Sequence, residues 1–300
     1  MQQETLELLE WPRLAEQLAS FASTTAGRGH CLALALPASL EQSQALLAET
    51  TELLALDGLT AASAEAGASG GGLSFQGVAD IGDLVRHCGK GGTAGGEALL
   101  ELATTLAAAR RLRRQIDDPE LRPVCSALVA EMRTLPELEQ RLLFCLEEGG
   151  RIADRASPPL EELRRSLLGA RNERRERLMD LLRRYGSLLQ DTVVAERHGR
   201  PVLAVKAGAA SQVPGLVHDS SASGNTVFVE PQAVIGLGNR IREFEGQERE
   251  LERAVLRELS GLVGEQAEVL ALLQEILVRL DGALARARYG QWLGAVRPEL

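Results

Sequence analysis

The chain has 300 residues, of which 45% are hydrophobic and 25% charged, and this is the composition of a globular protein with one large or two modest cores. Aromatic residues make up only 3%, while Leu, Ala, Glu and Arg dominate, so long helices are predicted rather than a β-rich body. The formal net charge of −9 excludes a uniformly basic surface. Any contact with nucleic acid must therefore be a local patch.

The cysteine pattern and the absence of targeting segments indicate the compartment. Four cysteines lie far apart in the sequence: Cys31, Cys88, Cys125 and Cys145. The sequence contains neither a signal peptide nor an apolar run of about 18 residues. We therefore expect a cytoplasmic protein with reduced thiols and no membrane contact.

Helical spacing of apolar residues predicts two helices at the start of the chain. The first lies within Leu6–Ala22, and Pro12 suits the first turn of a helix that begins near Trp11. The second begins at about Gly27.

Capping signals then bound a third helix. Ser39 is predicted to be its N-cap, Leu40–Leu56 its body and Gly58 its stop. The segment Ala62–Gly77 is rich in small residues and is predicted to be a loop.

A glycine cluster, Gly89–Gly96, separates the next two predicted helices. A short helix lies near Ile81–Cys88, and a long one covers Glu97–Ile116. Two shorter helices are predicted in Pro119–Glu147. No candidate site is recognised in these helices, which we interpret as core packing or as surfaces that contact other domains.

The pattern changes after residue 150, where one long helix is predicted over Pro158–Leu189. Leucines recur there at helical spacing among arginines and glutamates. Such a helix would be roughly 45 to 50 Å long at about 1.5 Å per residue. Ser157 suits its N-cap, and Pro158 and Pro159 suit its first turn.

The periodicity switches to two between residues 192 and 231. Four short runs are separated by Gly/Ser/Asn breaks: TVVAER, PVLAVK, PGLVHD and NTVFVEP. These runs predict a small antiparallel sheet of about four strands. Helical patterns return at Gln232–Gly264 and at Gln266–Leu293.

This order of elements predicts the architecture. A long helix, a compact sheet and a second long helix require antiparallel neighbouring helices with the sheet at their far end. The predicted fold class is mainly α, with a helical core and a long helix pair that carries a small antiparallel sheet at its tip. The predicted segments are a helical core (1–155), an outgoing helix (156–189), the sheet (190–231), a returning helix (232–265) and a return to the core (266–300).

One string in the predicted sheet is specific enough to indicate a family. Residues 215–234, GLVHDSSASGNTVFVEPQAV, resemble the clamp signature of the second bacterial MutS paralogue family. Three further strings are similar to that family: RPVLAVK at 200–206, ALARARYG at 283–290 and RPEL at 297–300. The resemblance covers the chain almost from end to end.

The resemblance implies that the long helices are paired lever arms and that the sheet is a clamp, in a homodimer that acts on nucleic acid. Members of the family are described as suppressors of homologous recombination that bind branched DNA, and some act on collided ribosomes. The expected partners are therefore DNA, branched or duplex, or the ribosome and its rRNA.

The resemblance also implies domains that we do not find in this chain. The intact family protein carries a MutS ATPase, which uses ATP and Mg²⁺, and commonly a C-terminal Smr nuclease. We expect this chain to be a fragment that lacks both domains, and with them any cofactor and any enzymatic activity.

A nucleotide site would need the spacing Gly-x-x-x-x-Gly-Lys-Ser/Thr, because backbone N–H groups cradle the phosphates while Lys and the hydroxyl serve phosphate and magnesium. The nearest string is Gly89-Lys90-Gly91, where glycine follows the lysine and Leu84 stands where the first glycine is required. We interpret this string as a flexible turn.

The polar cluster His218, Asp219, Ser220, Ser221 and Ser223 suggests a nucleophilic hydrolase at first sight. A catalytic triad requires converging side chains, whereas neighbours on a strand point to opposite faces. The sequence also lacks a Gly-x-Ser-x-Gly elbow. We predict no catalytic residue here and interpret the cluster as a polar hairpin with a Ser/Gly turn.

The same stretch is a better candidate for contact with nucleic acid. Small hydroxyl and amide residues with free backbone N–H groups bind phosphate oxygens, and short side chains allow close approach. Residues 190–231 carry three basic and four acidic side chains, so the segment is about neutral. The candidate contacts are Arg197, Arg200, Lys206, His218, Ser221, Ser223 and Asn225.

The outgoing helix offers a second set of candidates. It carries eight arginines and five acids between residues 160 and 189, whereas the returning helix carries five arginines and seven glutamates between 233 and 265. Interhelical ion pairs are the favoured interpretation. The alternative is a phosphate track along Arg171, Arg174, Arg175 and Arg177.

Two His-Cys doublets, at residues 30–31 and 87–88, raise the possibility of zinc. Adjacent residues on a helix face apart, and structural zinc uses pairs spaced by two to four residues. We predict no metal site and interpret the doublets as helix packing and surface histidine.

The leading hypothesis is a nucleic-acid-binding clamp. The alternative is a structural coiled-coil spacer whose tip recognises a protein without contacting nucleic acid. Salt dependence separates them, because phosphate binding weakens steeply with ionic strength and a largely apolar interface does not.

Overall fold

The computed structural model describes residues 3–65 and 72–299 of the chain. The chain divides into two compact units, Met1–Ala153 with Leu256–Leu300 and Asp154–Val255. We call the first the helical unit and the second the sheet unit, and each is described by itself.

Eleven α-helices and four strands lie in the described residues. The helices are α1 (Gln3–Leu8), α2 (Trp11–Ala19), α3 (Thr25–Leu32), α4 (Leu40–Glu65), α5 (Gly82–Gly89), α6 (Gly96–Ile116), α7 (Pro123–Ala130), α8 (Pro136–Cys145), α9 (Pro158–Tyr185), α10 (Gln232–Glu265) and α11 (Ala267–Leu293). The strands are β1 (Leu189–Arg197), β2 (Arg200–Lys206), β3 (Gly215–Ser220) and β4 (Thr226–Pro231). The predicted mainly α class and the four strands are confirmed. No helix of the described residues is long and apolar enough to cross a membrane.

The predicted C-terminal ends of two helices are wrong. Helix α4 continues through Gly58 to Glu65, because one glycine inside a helix costs only about 1 kcal/mol and good helix formers surround it. The predicted loop at Ala62–Gly77 is therefore helical over its first four residues; residues 66–71 lie outside the described residues, and 72–77 are irregular. Helix α9 ends at Tyr185 and not at the predicted Leu189, which begins β1. Its start is as predicted: Ser157 is the N-cap residue and Pro158 and Pro159 form the first turn, although the Ser157 hydroxyl makes no capping hydrogen bond.

Three other predictions at helix ends are closer to the structure. The stretch Leu6–Ala22 forms two helices, because Glu10 takes a left-handed conformation with φ of 51° between α1 and α2. Pro12 lies in the first turn of α2, as predicted. The hydroxyl of Ser39 accepts a hydrogen bond from the Gln42 N–H at 3.2 Å, which confirms the predicted cap of α4.

Helix α11 is the centre of the helical unit, where it packs against α3, α4 and α5. Its buried face also carries Asp281, which accepts hydrogen bonds from the backbone N–H groups of Ser23 and Thr24 at 2.9 and 2.8 Å. These bonds provide acceptors for two backbone N–H groups just before α3 begins. A buried carboxylate of α11 thus connects that helix to a segment far away in sequence.

A buried ion cluster links α4 to α11 in the same unit. Glu49 is fully buried, and its two oxygens accept from Arg279 Nε at 3.0 Å and from Arg286 Nη2 at 3.2 Å. Burial holds the pKa of Arg286 below the ordinary arginine value, although Glu49 raises it. Glu49 is therefore the counter-ion that permits Arg286 to be buried.

The sheet unit is built on strand order β1-β2-β4-β3, and every pairing is antiparallel. One face buries Leu189, Leu203, Val205, Val213 and Val229 against the last turns of α9. Register shifts interrupt both edge strands, between residues 189 and 194 of β1 and between 217 and 219 of β3. Bulges of this kind protect sheet edges from pairing with other strands.

Helices α9 and α10 contact each other within the sheet unit through apolar and charged residues. Leu167 and Ala170 of α9 pack against Ile241 of α10. Arg164 donates hydrogen bonds to Glu248 at 2.7 Å and to Glu252 at 2.6 Å. Later residues of α9 meet earlier residues of α10, so these two segments run antiparallel.

Candidate nucleic-acid interface

The strand register places six of the seven candidate residues of the sheet at two opposite ends, and His218 in the middle of β3 reaches one of these ends through its contact with Glu230. At one end Lys206 pairs with Thr226, and the turn from Ser221 to Asn225 joins β3 to β4. At the other end Arg197 pairs with Arg200, and β4 leads into α10. We call these the turn end and the α10 end. The candidates therefore do not converge on one point.

The turn end presents a tight polar turn. Ser221 accepts the Thr226 N–H on its hydroxyl at 3.1 Å and donates its own N–H to the Thr226 carbonyl at 2.8 Å. Gly224 has φ of 72°, which a side chain would disfavour. Ser223 and Asn225 are exposed. Within the described part of the chain, the N–H groups of Ser223 and Asn225 donate to no protein acceptor, so they face solvent unpaired.

Lys206 stands beside this turn. Its ammonium group donates to the carbonyl oxygen of Ser187 at 3.0 Å, and the side chain is exposed. An ammonium group has three donors, so this contact orients the side chain and leaves capacity for a phosphate oxygen. The next residue, Ala207, donates its N–H to the Asn225 carbonyl at 3.0 Å, which ties β2 to the turn.

The α10 end contains a buried charge cluster that sequence reasoning missed. The Glu230 side chain is 1% exposed. Its Oε1 accepts from Arg200 Nη1 at 3.3 Å, and its Oε2 accepts from His218 Nε2 at 2.7 Å. Arg200 Nη2 also donates to Asn239 Oδ1 of α10 at 2.7 Å. We call these four residues the Glu230 joint.

One signal in the sequence could have found this cluster. Glu230 interrupts the apolar run of β4, and a carboxylate at a buried strand position needs a cation or hydrogen-bond donors. Its partners could not be named from the pattern, because Arg200, His218 and Asn239 lie up to 39 positions apart in sequence.

Arg197 is held on the surface of the sheet. Its guanidinium lies 4.0 Å from the centroid of the Phe228 ring. Its Nε is 3.4 Å from an oxygen of Asp219, and 37% of the Arg197 side chain is exposed. Arg197 is therefore accessible and well oriented, but an acidic neighbour offsets its charge.

The four candidate arginines of the predicted phosphate track on α9 fall into two groups. Arg171 pairs with Glu245 of α10 at 2.7 Å, and Arg177 pairs with Glu173 on its own helix at 3.0 Å. Arg174 and Arg175 have no ion pair within the described residues, and Arg175 is exposed. Half of the predicted phosphate track is thus engaged with acids.

The two units differ strongly in net charge. The sheet unit contains 16 basic and 15 acidic residues, which gives a formal charge of +1. The remaining residues contain 17 basic and 27 acidic residues, a formal charge of −10. The acidic character of the whole chain therefore belongs to the helical unit.

The Gly89–Gly91 turn does not fit a nucleotide. It follows the C-terminal end of α5, where backbone carbonyl groups face outward, whereas phosphate favours the N-terminal end of a helix. Cys31 and Cys88 are buried while their histidine neighbours are exposed. Among the described residues, no cluster of three or more His, Cys, Asp or Glu side chains is arranged to hold a metal ion.

The fold and this interface define a mainly helical protein with a small β-sheet that carries charged residues of both signs. Comparison with known proteins indicates which family of such proteins the chain resembles. No protein-family model matches the chain. The chain is 43% identical over 297 residues to the Endonuclease MutS2 of Synechocystis sp., an alignment that covers 99% of the chain and 35% of the relative. It is 38% identical to the Endonuclease MutS2 of Pelotomaculum thermopropionicum and 34% identical to that of Symbiobacterium thermophilum, covering 100% of the chain and 37% of each relative.

These matches support the MutS2 paralogue family for the chain, in agreement with the resemblance of its sheet motif. The chain spans little more than a third of the length of these relatives.

Proposed function

We propose that this chain is a nucleic-acid-binding region of a MutS2-type protein and that the turn end of the sheet contacts the phosphate backbone. In this proposal α9 and α10 are the lever arms and residues 190–231 are the clamp. The five predicted segments, 1–155, 156–189, 190–231, 232–265 and 266–300, are the corresponding functional divisions.

The observation that carries the proposal is the geometry of the turn end. Backbone N–H groups that are unpaired within the described residues, exposed hydroxyl and amide side chains and one oriented lysine lie at the same end of the sheet. This combination binds phosphate oxygens without reading base sequence. The formal charge of +1 on the sheet unit, against −10 on the remaining residues, favours the same location.

The biological role proposed for the whole protein follows the family resemblance of its sequence motifs. It would suppress homologous recombination on branched DNA or act on stalled ribosomes through rRNA, as a cytoplasmic homodimer. The relatives are named endonucleases, and we propose that nuclease activity and ATP and Mg²⁺ binding belong to regions other than the segment described above.

A titration at several salt concentrations tests the proposal. Labelled four-way-junction DNA, duplex DNA and structured RNA are each titrated with the 300-residue chain, with the Lys206→Gln variant and with a matched control, Arg253→Gln on α10. The logarithm of the wild-type binding constant should fall linearly with the logarithm of salt concentration. Lys206→Gln should weaken binding to all three nucleic acids. It should also reduce the magnitude of the slope of log binding constant against log salt concentration by about one, whereas Arg253→Gln should leave that slope unchanged.

Three exposed apolar residues favour a second candidate function. Val193, Leu216 and Val217 lie on the edge strands of the sheet and are 62%, 54% and 57% exposed. They suit a protein partner. The protein-interaction alternative would replace the proposal if the chain bound no nucleic acid at low salt, or if binding did not depend on salt.

A further inference from the structure

The contacts at the α10 end of the sheet join three strands to one helix. The carboxylate of Glu230 on β4 is shared by Arg200 of β2 and His218 of β3, and Arg200 continues to Asn239 of α10. The side chains of Arg200 and His218 are each only 16% exposed. A buried carboxylate with this set of partners fixes geometry, because losing Arg200 would leave the buried Glu230 without its arginine counter-ion.

A second contact reinforces the same connection. Arg242 of α10 donates from Nη2 to the carbonyl oxygens of His198 and Gly199, both at 3.3 Å, in the turn between β1 and β2. Gly238 faces the first contact, where a Cβ atom would lie 2.9 Å from Arg200 Nη1. The helix therefore approaches the sheet closely enough that a side chain at position 238 would displace the guanidinium.

These contacts lie at the opposite end of the sheet from the turn. Arg200 and His218 are held by Glu230, so a phosphate group could reach them only after the joint had opened. At the turn end, in contrast, the N–H groups of Ser223 and Asn225 donate to no acceptor among the described residues. The position of the Glu230 joint therefore suits a role in orienting the turn end rather than in contacting nucleic acid.

We propose that the Glu230 joint, with Arg242, sets the direction of the turn end relative to α10 within the sheet unit, and that Arg200 and His218 are positioning residues for nucleic-acid binding. The second half rests on the proposed function, whereas the first half does not. If binding requires one orientation of the turn, loosening the joint reduces the population that can bind and leaves the number of phosphate contacts unchanged.

The Glu230→Gln variant separates positioning from direct contact. If Arg200 bound phosphate directly, removal of the neighbouring negative charge would free it and tighten binding. The joint predicts the opposite. We expect Glu230→Gln to weaken duplex DNA binding about tenfold if the competent orientation falls to about a tenth of the population, with the salt slope unchanged.

A second readout does not depend on nucleic acid. Spin labels at Ser223→Cys in the turn and at Gln247→Cys on α10 report the distance between these segments, and the four native cysteines are buried. Glu230→Gln and Arg242→Gln should broaden the distance distribution. Arg242 is exposed, so its variant should fold even if the buried substitution does not. Arg249→Gln, an equal change of charge on the same helix, should leave the distribution unchanged.

Two outcomes would overturn the inference. One is unchanged or tighter binding by Glu230→Gln together with an unbroadened distribution. The other is a salt slope that falls by about one in Arg200→Gln, which would make Arg200 a phosphate contact. If the wild-type chain binds no nucleic acid, the proposed function fails, and the distance distributions alone decide whether the joint orients the turn.

Discussion

The helical unit and the sheet unit use their charged residues differently. In the helical unit, arginines end on buried or half-buried carboxylates, as in the pairs of Arg286 with Glu49 and Arg288 with Asp57. In the sheet unit, Arg200 likewise ends on the buried carboxylate of Glu230, but Arg175 and Lys206 end at the surface. The net charge of the whole chain therefore does not indicate which part can bind a polyanion. The formal charge of −10 on the remaining residues dominates the sum, whereas the sheet unit has a formal charge of +1.

The strongest test of this contrast is removal of Glu49. Without this carboxylate the buried Arg286 loses its counter-ion, so we expect Glu49→Gln to lower the free energy of unfolding by about 3–5 kcal/mol. Chemical denaturation measures the change, with the exposed Glu41→Gln on the same helix as the control, expected within about 0.5 kcal/mol. Equal stability of the two variants would show that the cluster is not what holds α4 to α11.

A smaller effect is expected at Asp57, where it depends on pH. Burial alone would raise the pKa of the Asp57 carboxyl, but hydrogen bonds from Arg288 and Leu73 outweigh it and hold the pKa below its ordinary value. A carboxyl with a lowered folded-state pKa stabilises the fold above its unfolded-state pKa, and the stabilisation is lost as pH falls through the folded-state value.

The Asp57→Asn variant should therefore lose about 1–3 kcal/mol of stability at pH 7 and progressively less as the pH falls below the ordinary aspartate pKa of about 3.9. Urea denaturation at a series of pH values measures the difference from wild type. The exposed Asp83→Asn is the control and should show little difference at any pH. A loss that stayed constant across the series would contradict the pKa argument.

The third prediction concerns the helix pair of the sheet unit. Arg164 bonds to Asp154, Glu248 and Glu252, and its side chain is 20% exposed. We expect Arg164→Gln to cost about 1–3 kcal/mol because three charge-assisted bonds are lost at once. The neighbouring Arg165 makes one exposed pair within its helix, so Arg165→Gln should cost less than about 0.5 kcal/mol in the same denaturation experiment. A reversed order would mean that the α9–α10 contacts contribute little.

The smallest expected effect lies at Asp219, which offsets the charge of Arg197. If Arg197 contacts nucleic acid, Asp219→Asn should tighten binding by up to about fivefold, the equivalent of an exposed charge interaction of up to about 1 kcal/mol. Fluorescence anisotropy with duplex DNA measures the change, with Glu250→Gln on α10 as the control. Unchanged binding would remove Arg197 from the contact residues and leave the turn end.

Local periodicity was enough to predict most of the elements. The four strands and the long helices before and after them follow from patterns that repeat within one element, and these predictions are confirmed. The passage of α4 through Gly58 was missed because a helix stop depends on everything that surrounds the glycine. Ser157 does take the predicted N-cap position of α9, but its hydroxyl makes no capping hydrogen bond there.

The sequence by itself determined the class of the fold, the family resemblance and the residue types available for contact. Only the tertiary structure decided which candidates share a location, because strand order and register bring together residues that are distant in sequence. Arg200 is close to Lys206 in the sequence, and His218 is close to Ser221. Antiparallel pairing nevertheless places Arg200 and His218 beside a buried carboxylate, whereas Lys206 and Ser221 lie at a solvent-facing turn. Periodicity indicates which side chains of a strand share a face, but it does not identify the neighbouring strands. The residues on those neighbouring strands decide which charged side chains form ion pairs and which remain exposed.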